Sequence, residues 1–155
     1  MTTLLMFAAL GCWQAAAPTP YWAGLTVKDA QASAEWYRDR LGFEIFDRMS
    51  FVKQGVEIRF LKLRDFHLEL VQRSDSFAVA ERIAEDFQPS QVRGYFKLGF
   101  RVADIDRLVD DLRQQGVVLF GEIFDDERFG ARMVLIKDPD GNLIQLFEPK
   151  PDNAD

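Results

Sequence analysis

The spacing of apolar residues predicts two amphipathic helices, each directly behind a short run of β-prone residues. Apolar side chains recur every three or four positions over residues 30–41 and again over residues 105–112, which is the period of a helix that buries one face. Each helix has an aspartate where an N-cap belongs and a glycine near its predicted end, namely Asp29 with Gly42 and Asp104 with Gly116. The same strand and helix pattern therefore occurs twice along the chain.

Each predicted helix leads into three further β-prone runs, so that each copy consists of a strand, a helix and three strands. The runs cover residues 43–52, 56–63 and 66–72 in the first copy and residues 117–124, 131–137 and 143–147 in the second. Residues 138–142 (DPDGN) are a strong turn signal between the last two runs. Between the copies, apolar residues over 80–87 followed by Pro89 predict an additional helix.

These elements predict an α+β fold built from two βαβββ modules, at about residues 21–73 and 95–149. The two modules are expected to form one curved mixed sheet, with the helices on its outer face and a concave face inside. Concave and partly apolar surfaces are the usual binding sites for small molecules, so we expect a ligand on the concave face. A single domain would then cover residues 21–149, followed by a tail at residues 150–155.

Residues 1–20 differ in composition from the rest of the chain. Residues 4–13 form an apolar run that is too short to span a bilayer, although it has the length of a signal-peptide core, and three alanines follow at residues 15–17. The positively charged start of a signal peptide is missing, since Lys28 is the first Lys or Arg. Two interpretations stay open: a retained extension of a cytoplasmic protein, or an export signal within residues 1–17.

Composition and charge narrow the functional classes. Of the 155 residues, 48% are hydrophobic and 28% are charged, which is typical of a globular domain. The 19 basic and 25 acidic residues give a formal net charge of -6, which repels nucleic-acid phosphates and modestly favours cationic ligands. Cys12 is the only cysteine, so no disulfide can form within the chain. We therefore expect neither a nucleic-acid partner nor a membrane span.

Several motifs resemble those of a known family. The first helix ends in Glu-Trp-Tyr-Arg-Asp-Arg-Leu-Gly-Phe at residues 35–43, and the second copy contains Lys-Asp-Pro-Asp-Gly-Asn at residues 137–142. With Val-Lys-Asp at residues 27–29 and Val-Ala-Asp at residues 102–104, these motifs resemble the vicinal oxygen chelate superfamily, which includes glyoxalase I, extradiol dioxygenases and bleomycin-resistance proteins. The resemblance covers about residues 21–149 and implies the fold predicted above, but one fold hosts many activities.

The resemblance also identifies four positions where metal-dependent members of the family place their ligands. These are usually a His in the first strand of each module and a Glu, His or Gln in the last strand, and the matching positions here are Trp22, Glu69, Lys97 and Gln145. The indole of Trp22 can only donate a hydrogen bond, and Lys97 carries a positive charge at neutral pH. We therefore expect no metal cofactor, with Glu69, Gln145 and the sole histidine, His67, as the remaining candidate ligands.

The alternation of side chains along a strand predicts which residues line the concave face. If the side chains at the metal positions point inward, the lining is an aromatic and polar set: Trp22, His67, Glu69, Lys97, Arg101, Gln145 and Phe147. The family geometry implies that Glu69 and Lys97 converge where the metal would lie. Three roles stay open for them: a structural ion pair, ligand recognition, or catalysis with Glu69 as base and Lys97 as acid or amine nucleophile.

Several functions are compatible with this resemblance. The first is a metal-free small-molecule binding protein similar to the bleomycin-resistance branch, which takes an aromatic, cationic ligand in a groove often shared by two subunits and so implies a homodimer. The alternative is an enzyme, either a metal-dependent lyase or dioxygenase or a metal-free isomerase that uses Glu69 and Lys97. A third possibility is a dimerisation or regulatory module without a ligand. The resemblance does not identify the ligand.

Overall fold

A computed structural model of the chain describes residues 20–78 and 97–151. The elements of these residues are β1 Trp22–Val27, α1 Ala30–Leu41, β2 Glu44–Phe51, a short 3-10 helix Val52–Gln54, β3 Val56–Leu63, β4 Phe66–Arg73, β5 Lys97–Arg101, α2 Ile105–Gln114, β6 Phe124–Asp126, β7 Ala131–Lys137 and β8 Leu143–Pro149. This order confirms the predicted α+β class and its two βαβββ modules. The predicted extension at residues 1–19 and the predicted helix over 80–87 lie outside the described residues.

The strands of each module hydrogen bond as a four-stranded mixed sheet. The first sheet has the order β1-β4-β3-β2 and the second has the equivalent order β5-β8-β7-β6. In both sheets the first strand runs parallel to the last, and the remaining neighbours are antiparallel. The internal repeat of the sequence is therefore a repeat of sheet topology as well.

The helix boundaries follow from the predicted capping residues. Asp29 accepts a hydrogen bond from the backbone N–H of Ala32 at 2.9 Å, and Asp104 accepts one from Arg107 at 2.9 Å. Gly42 ends α1 with φ +74°, a left-handed conformation that favours glycine. Neither helix within residues 20–78 and 97–151 is long and apolar enough to cross a bilayer.

One hydrophobic core receives side chains from both modules. Leu68 and Leu70 of β4 and Leu146 of β8 are fully buried in this core, as the alternation of the strands predicts. Two edge-to-face ring contacts join the modules, because Phe100 of β5 lies 5.8 Å from Phe43 and 6.0 Å from Phe66. The side chains on the opposite faces of these strands do not enter the core.

A hydrogen-bonded network fixes α1 of the first module to the turn between β7 and β8. The Tyr37 hydroxyl donates to Asp138 at 2.9 Å, and the Ser33 hydroxyl donates to Asp140 at 3.1 Å. The backbone N–H of Lys28 also donates to Asp140, at 2.7 Å. The turn predicted at residues 138–142 is confirmed, and its aspartates additionally connect the two modules.

The strand predicted over residues 117–124 is wrong for most of its length. The observed β6 begins only at Phe124, and before it Leu119 makes a single isolated bridge to Ile136. Gly121 has φ +101°, which an extended strand cannot contain, so the apolar run before it does not pair continuously.

Candidate functional site

Aromatic rings surround His67 on the strand face of the first module that points away from the core. Trp22 stacks on His67 with ring centroids 5.5 Å apart and an angle of 13° between the planes. Tyr21 lies 4.6 Å and Phe46 lies 5.7 Å from the same imidazole, and Phe60 lies 5.9 Å from Trp22. We call these five residues the aromatic face.

The aromatic face is accessible to a ligand. Trp22 is 43% exposed, Phe46 is 44% exposed and Tyr21 is 61% exposed. His67 is half-buried, and its Nδ1 atom is buried without a hydrogen-bond partner among the described residues. Buried polar atoms nearly always have a partner, so this unsatisfied atom is unusual for a folded protein.

Glu69 lies on the same strand face. In the register of the sheet it stands opposite Phe60 on β3 and opposite Gly24 on β1. A Cβ atom built on Gly24 would lie 3.5 Å from Oε2 of Glu69, so the carboxylate lies close above this glycine. Within residues 20–78 and 97–151, Glu69 forms no ion pair and accepts no hydrogen bond.

In the second module, Lys97 contacts Gln145 instead of Glu69. The Lys97 ammonium donates to Oε1 of Gln145, and the Gln145 amide in turn donates to the Met133 sulfur at 2.8 Å. The expected Glu69–Lys97 pair is absent from the ion pairs of the part of the chain that the structure describes. The amide oxygen in the neighbouring strand β8 gives the ammonium an acceptor within its own module.

A pocket of about 280 Å³ opens on the second sheet. Its lining includes Gly99, Arg101, Phe129, Ala131, Phe147 and Pro149. Phe147 and Phe129 meet edge to face at 6.1 Å, and Arg101 stands opposite Phe147 in the β5–β8 register. Arg101 is the only charged residue among the described residues that line this pocket.

The residues predicted to line the concave face come from both sheets, as their strands predict. Trp22, His67 and Glu69 lie on the first sheet, and Lys97, Arg101, Gln145 and Phe147 lie on the second. Sequence reasoning missed Phe60, Phe46 and Phe129. The alternation of β3 against β4 could have found Phe60, but Phe46 lies at a register shift between Ile45 and Asp47, where alternation fails.

Comparisons with known proteins identify the family. The sequence model of the Glyoxalase/Bleomycin resistance protein/Dioxygenase superfamily matches residues 20–146. The chain belongs to this superfamily. An uncharacterized protein, YraH, of Bacillus subtilis (strain 168) is 30% identical over 126 residues, which cover 80% of this chain and 93% of that protein.

Solved structures of the glyoxalase type share the fold. A glyoxalase family protein from Enterococcus faecalis superposes with a TM-score of 0.70 at 24% identity, over 84% of this chain and 97% of that chain. The trypanothione-dependent glyoxalase I of Leishmania major superposes with a TM-score of 0.63 at 23% identity, over 85% of this chain and 87% of that chain. At these identities the likeness concerns the fold alone.

The side chains at the four positions where metal-dependent members of this superfamily place ligands do not fit a divalent ion here. Trp22 offers only an indole N–H, and the Lys97 ammonium already contacts the Gln145 oxygen that would coordinate. Within residues 20–78 and 97–151, no three His, Cys, Asp or Glu side chains group closely enough to hold a metal ion. Glu69 is the one strong oxygen donor that remains at these positions.

Proposed function

We propose that this superfamily member binds a small organic molecule without a metal ion, and that the aromatic face together with Glu69 takes a cationic aromatic group. One observation carries the proposal: the half-buried Glu69 carboxylate shares a strand face with the exposed Trp22 ring, stands opposite Phe60 and pairs with no cationic side chain of the described residues. Lys62, the positively charged residue of β3 on the same strand face, instead contacts Glu44 at 3.2 Å. The anionic charge of Glu69 is therefore left for a ligand.

The physical chemistry of this face favours a planar cation. A cation over the face of a Trp or Phe ring gains about 0.5–2 kcal/mol, and more when water is excluded. A hydrogen bond between a cationic donor and a carboxylate is roughly twice as strong as a neutral one. The net charge of -6 adds a long-range attraction for cations. Trp22 and Phe60 supply the rings and Glu69 supplies the charge.

An isosteric pair of probes tests the proposal. Benzamidine carries a positive charge at neutral pH, whereas benzamide has the same shape without the charge. We expect benzamidine to bind at least about tenfold more tightly than benzamide, equivalent to about 1.4 kcal/mol, and Glu69→Gln to abolish the difference. Ligand-observed NMR measures both affinities, and quenching of Trp22 fluorescence, measured after Trp13 and Trp36 are replaced by Phe, reports the site.

The matched control is Glu57→Gln, because it removes a carboxylate from the same sheet whose ion-pair partner, Arg59, stands opposite the buried Leu70 and not on the face of Glu69. This variant should preserve the preference for benzamidine. Equal binding of the two probes would contradict the proposal. So would stoichiometric Mn, Fe, Ni or Zn in protein purified without chelator and lost in Glu69→Gln, since that result supports a metal-dependent lyase or dioxygenase instead.

A further inference from the structure

Lys62 brings a positive charge to the side of the first sheet that carries the aromatic face and Glu69. In the register of the sheet, Lys62 stands opposite His67 on β4 and opposite Glu44 on β2. Residues that stand opposite each other in an antiparallel pair point to the same side of the sheet. Glu69 follows His67 by two residues and therefore points to that side as well. Lys62 thus has a carboxylate on each of its two neighbouring strands.

The Lys62 ammonium contacts the carboxylate on β2. Its Nζ atom lies 3.2 Å from Oε2 of Glu44. The Cβ atoms of directly opposite residues are about 4.5–5.5 Å apart, whereas those of diagonal neighbours such as Lys62 and Glu69 are about 7–8 Å apart. A long side chain also spans the diagonal distance. Glu44 is therefore the closer of two acceptors that Lys62 can reach.

The second module positions its corresponding lysine without a carboxylate on the edge strand. Lys137 of β7 is the register equivalent of Lys62. Gln145 is likewise the equivalent of Glu69. The Lys137 ammonium lies over the Phe120 ring, 4.8 Å from its centroid. A neutral amide attracts an ammonium less strongly than a carboxylate does, so an aromatic ring is sufficient in this module. The acidic partner occurs in the module that also carries Glu69.

We propose that Glu44 is a positioning residue of the cation site: it holds the Lys62 ammonium away from Glu69 and so keeps that carboxylate available to a cationic ligand. This inference rests on the proposed function and adds to it the residue that sets the charge of the site. Without Glu44, the Lys62 ammonium reaches Glu69 across the β3–β4 diagonal and competes with the cation of the ligand. Ion pairs that are open to solvent, as this one is, change an equilibrium by a factor of up to about five.

The affinity of the full chain for benzamidine, measured by ligand-observed NMR, tests this role. We expect Glu44→Gln to weaken benzamidine about two- to fivefold, because the freed ammonium competes for Glu69. The affinity for the neutral benzamide should not change, whereas a general distortion of the aromatic face would weaken both probes. Glu57→Gln removes the same charge from the same sheet and should leave the affinity for benzamidine close to that of the wild type.

A second substitution separates competition by Lys62 from the loss of a negative charge. Glu44→Gln combined with Lys62→Gln should restore the affinity of the wild type, because the competing ammonium is gone. The matched control combines Glu44→Gln with Lys53→Gln, which removes a lysine beyond the far end of β2 and gives the same net charge. This control should bind benzamidine as weakly as Glu44→Gln alone. Circular dichroism confirms that each variant is folded.

A crystal structure of ligand-free Glu44→Gln tests the same step without a probe. The Lys62 Nζ atom should lie within about 4 Å of the Glu69 carboxylate. A Lys62 side chain that points to solvent or pairs with Asp47 would overturn the proposed role of Glu44. Unchanged benzamidine affinity in Glu44→Gln, or equal affinity in the two double variants, would overturn it as well. Failure of benzamidine to bind the wild type would refute the cation site itself, and the position of Lys62 in the ligand-free variant would still show whether Glu44 holds it.

Discussion

Asp138 is a single side chain that serves both its own turn and the neighbouring module. Only 5% of it is exposed, and it accepts hydrogen bonds from the Tyr37 hydroxyl at 2.9 Å, from the backbone N–H of Asn142 at 2.8 Å and from that of Asp140 at 3.0 Å. Burial raises its pKa, and the lowering effect of these hydrogen bonds does not fully offset it. The charged form of Asp138 is therefore held in a site that disfavours it.

The raised pKa of Asp138 predicts a pH dependence of stability. A carboxyl whose pKa is higher in the folded state contributes stability that is fully present below the unfolded value of 3.8 and is lost as the pH rises through the folded value. The free energy of unfolding of the wild type, relative to Asp138→Asn, should therefore fall as the pH rises above the unfolded value of 3.8. Urea unfolding at several pH values measures this difference.

The control for this experiment is Asp65→Asn, which removes an exposed carboxylate at a turn. Its difference from the wild type should vary less with pH over the same range. A relative stability of the wild type over Asp138→Asn that instead rises with pH would mean that the hydrogen bonds to Asp138 outweigh its burial. Tyr37 remains a donor throughout, because burial and the adjacent Asp138 raise the pKa of its hydroxyl.

At the residue scale, the sequence predicts on which face of the sheet a side chain lies better than it predicts the hydrogen-bond partner of that side chain. Strand alternation correctly separated the buried Leu68 and Leu70 from Glu69, because the period of two is a property of any strand. The partner of Lys97 was not predictable in the same way. The Lys97 side chain is long and flexible, so its ammonium can reach several nearby acceptors. Strand alternation does not tell which acceptor it contacts, and the structure shows that it is the amide oxygen of Gln145 on the adjacent strand.

At the scale of elements, two side-chain acceptors bind the free backbone N–H groups at the start of each helix. The sequence predicts only one of them. The aspartate N-caps were predictable from position, but Ala30 also donates its N–H to Gln72 and Ile105 donates to Glu148. Gln72 and Glu148 lie one residue before the ends of β4 and β8, so these hydrogen bonds depend on how the strand end packs against the helix start. No local sequence motif predicts that packing.

The two aspartate N-caps predict a matched pair of stability losses. Asp29→Ala and Asp104→Ala should each lower the free energy of unfolding by about 1 kcal/mol, since each leaves one helix N–H without its side-chain acceptor. Asp111→Ala is the control, because it removes a carboxylate from within α2 and should cost nothing or stabilise by up to about 0.5 kcal/mol. Chemical denaturation measures all three; a loss in Asp111→Ala equal to the others would argue against capping.

At the scale of the whole molecule, the repeat in the sequence predicts the two modules but not what joins them. The second module was recognisable because its helix and turn signals recur in order. The joining contacts are side-chain pairs between distant residues, such as Tyr37 with Asp138 and Phe43 with Phe100. These pairs depend on how the two sheets pack, which no periodicity of a single strand or helix determines.

The shared core and the Tyr37–Asp138 contact predict that both modules unfold together. With Trp13 replaced by Phe, fluorescence of Trp22 and Trp36 reports the first module, and hydrogen exchange of Ile144 and Leu146 in β8 reports the second. Tyr37→Phe should lower the free energy of unfolding by about 1–2 kcal/mol and shift the unfolding midpoints of both probes equally, because it leaves the buried Asp138 without one donor.

The control is Tyr21→Phe, which removes a hydroxyl from a residue that is 61% exposed and should shift neither midpoint. If fluorescence and exchange gave separate midpoints in Tyr37→Phe, the modules would be independent folding units, and the aspartates of the β7–β8 turn would orient the modules without coupling their stability.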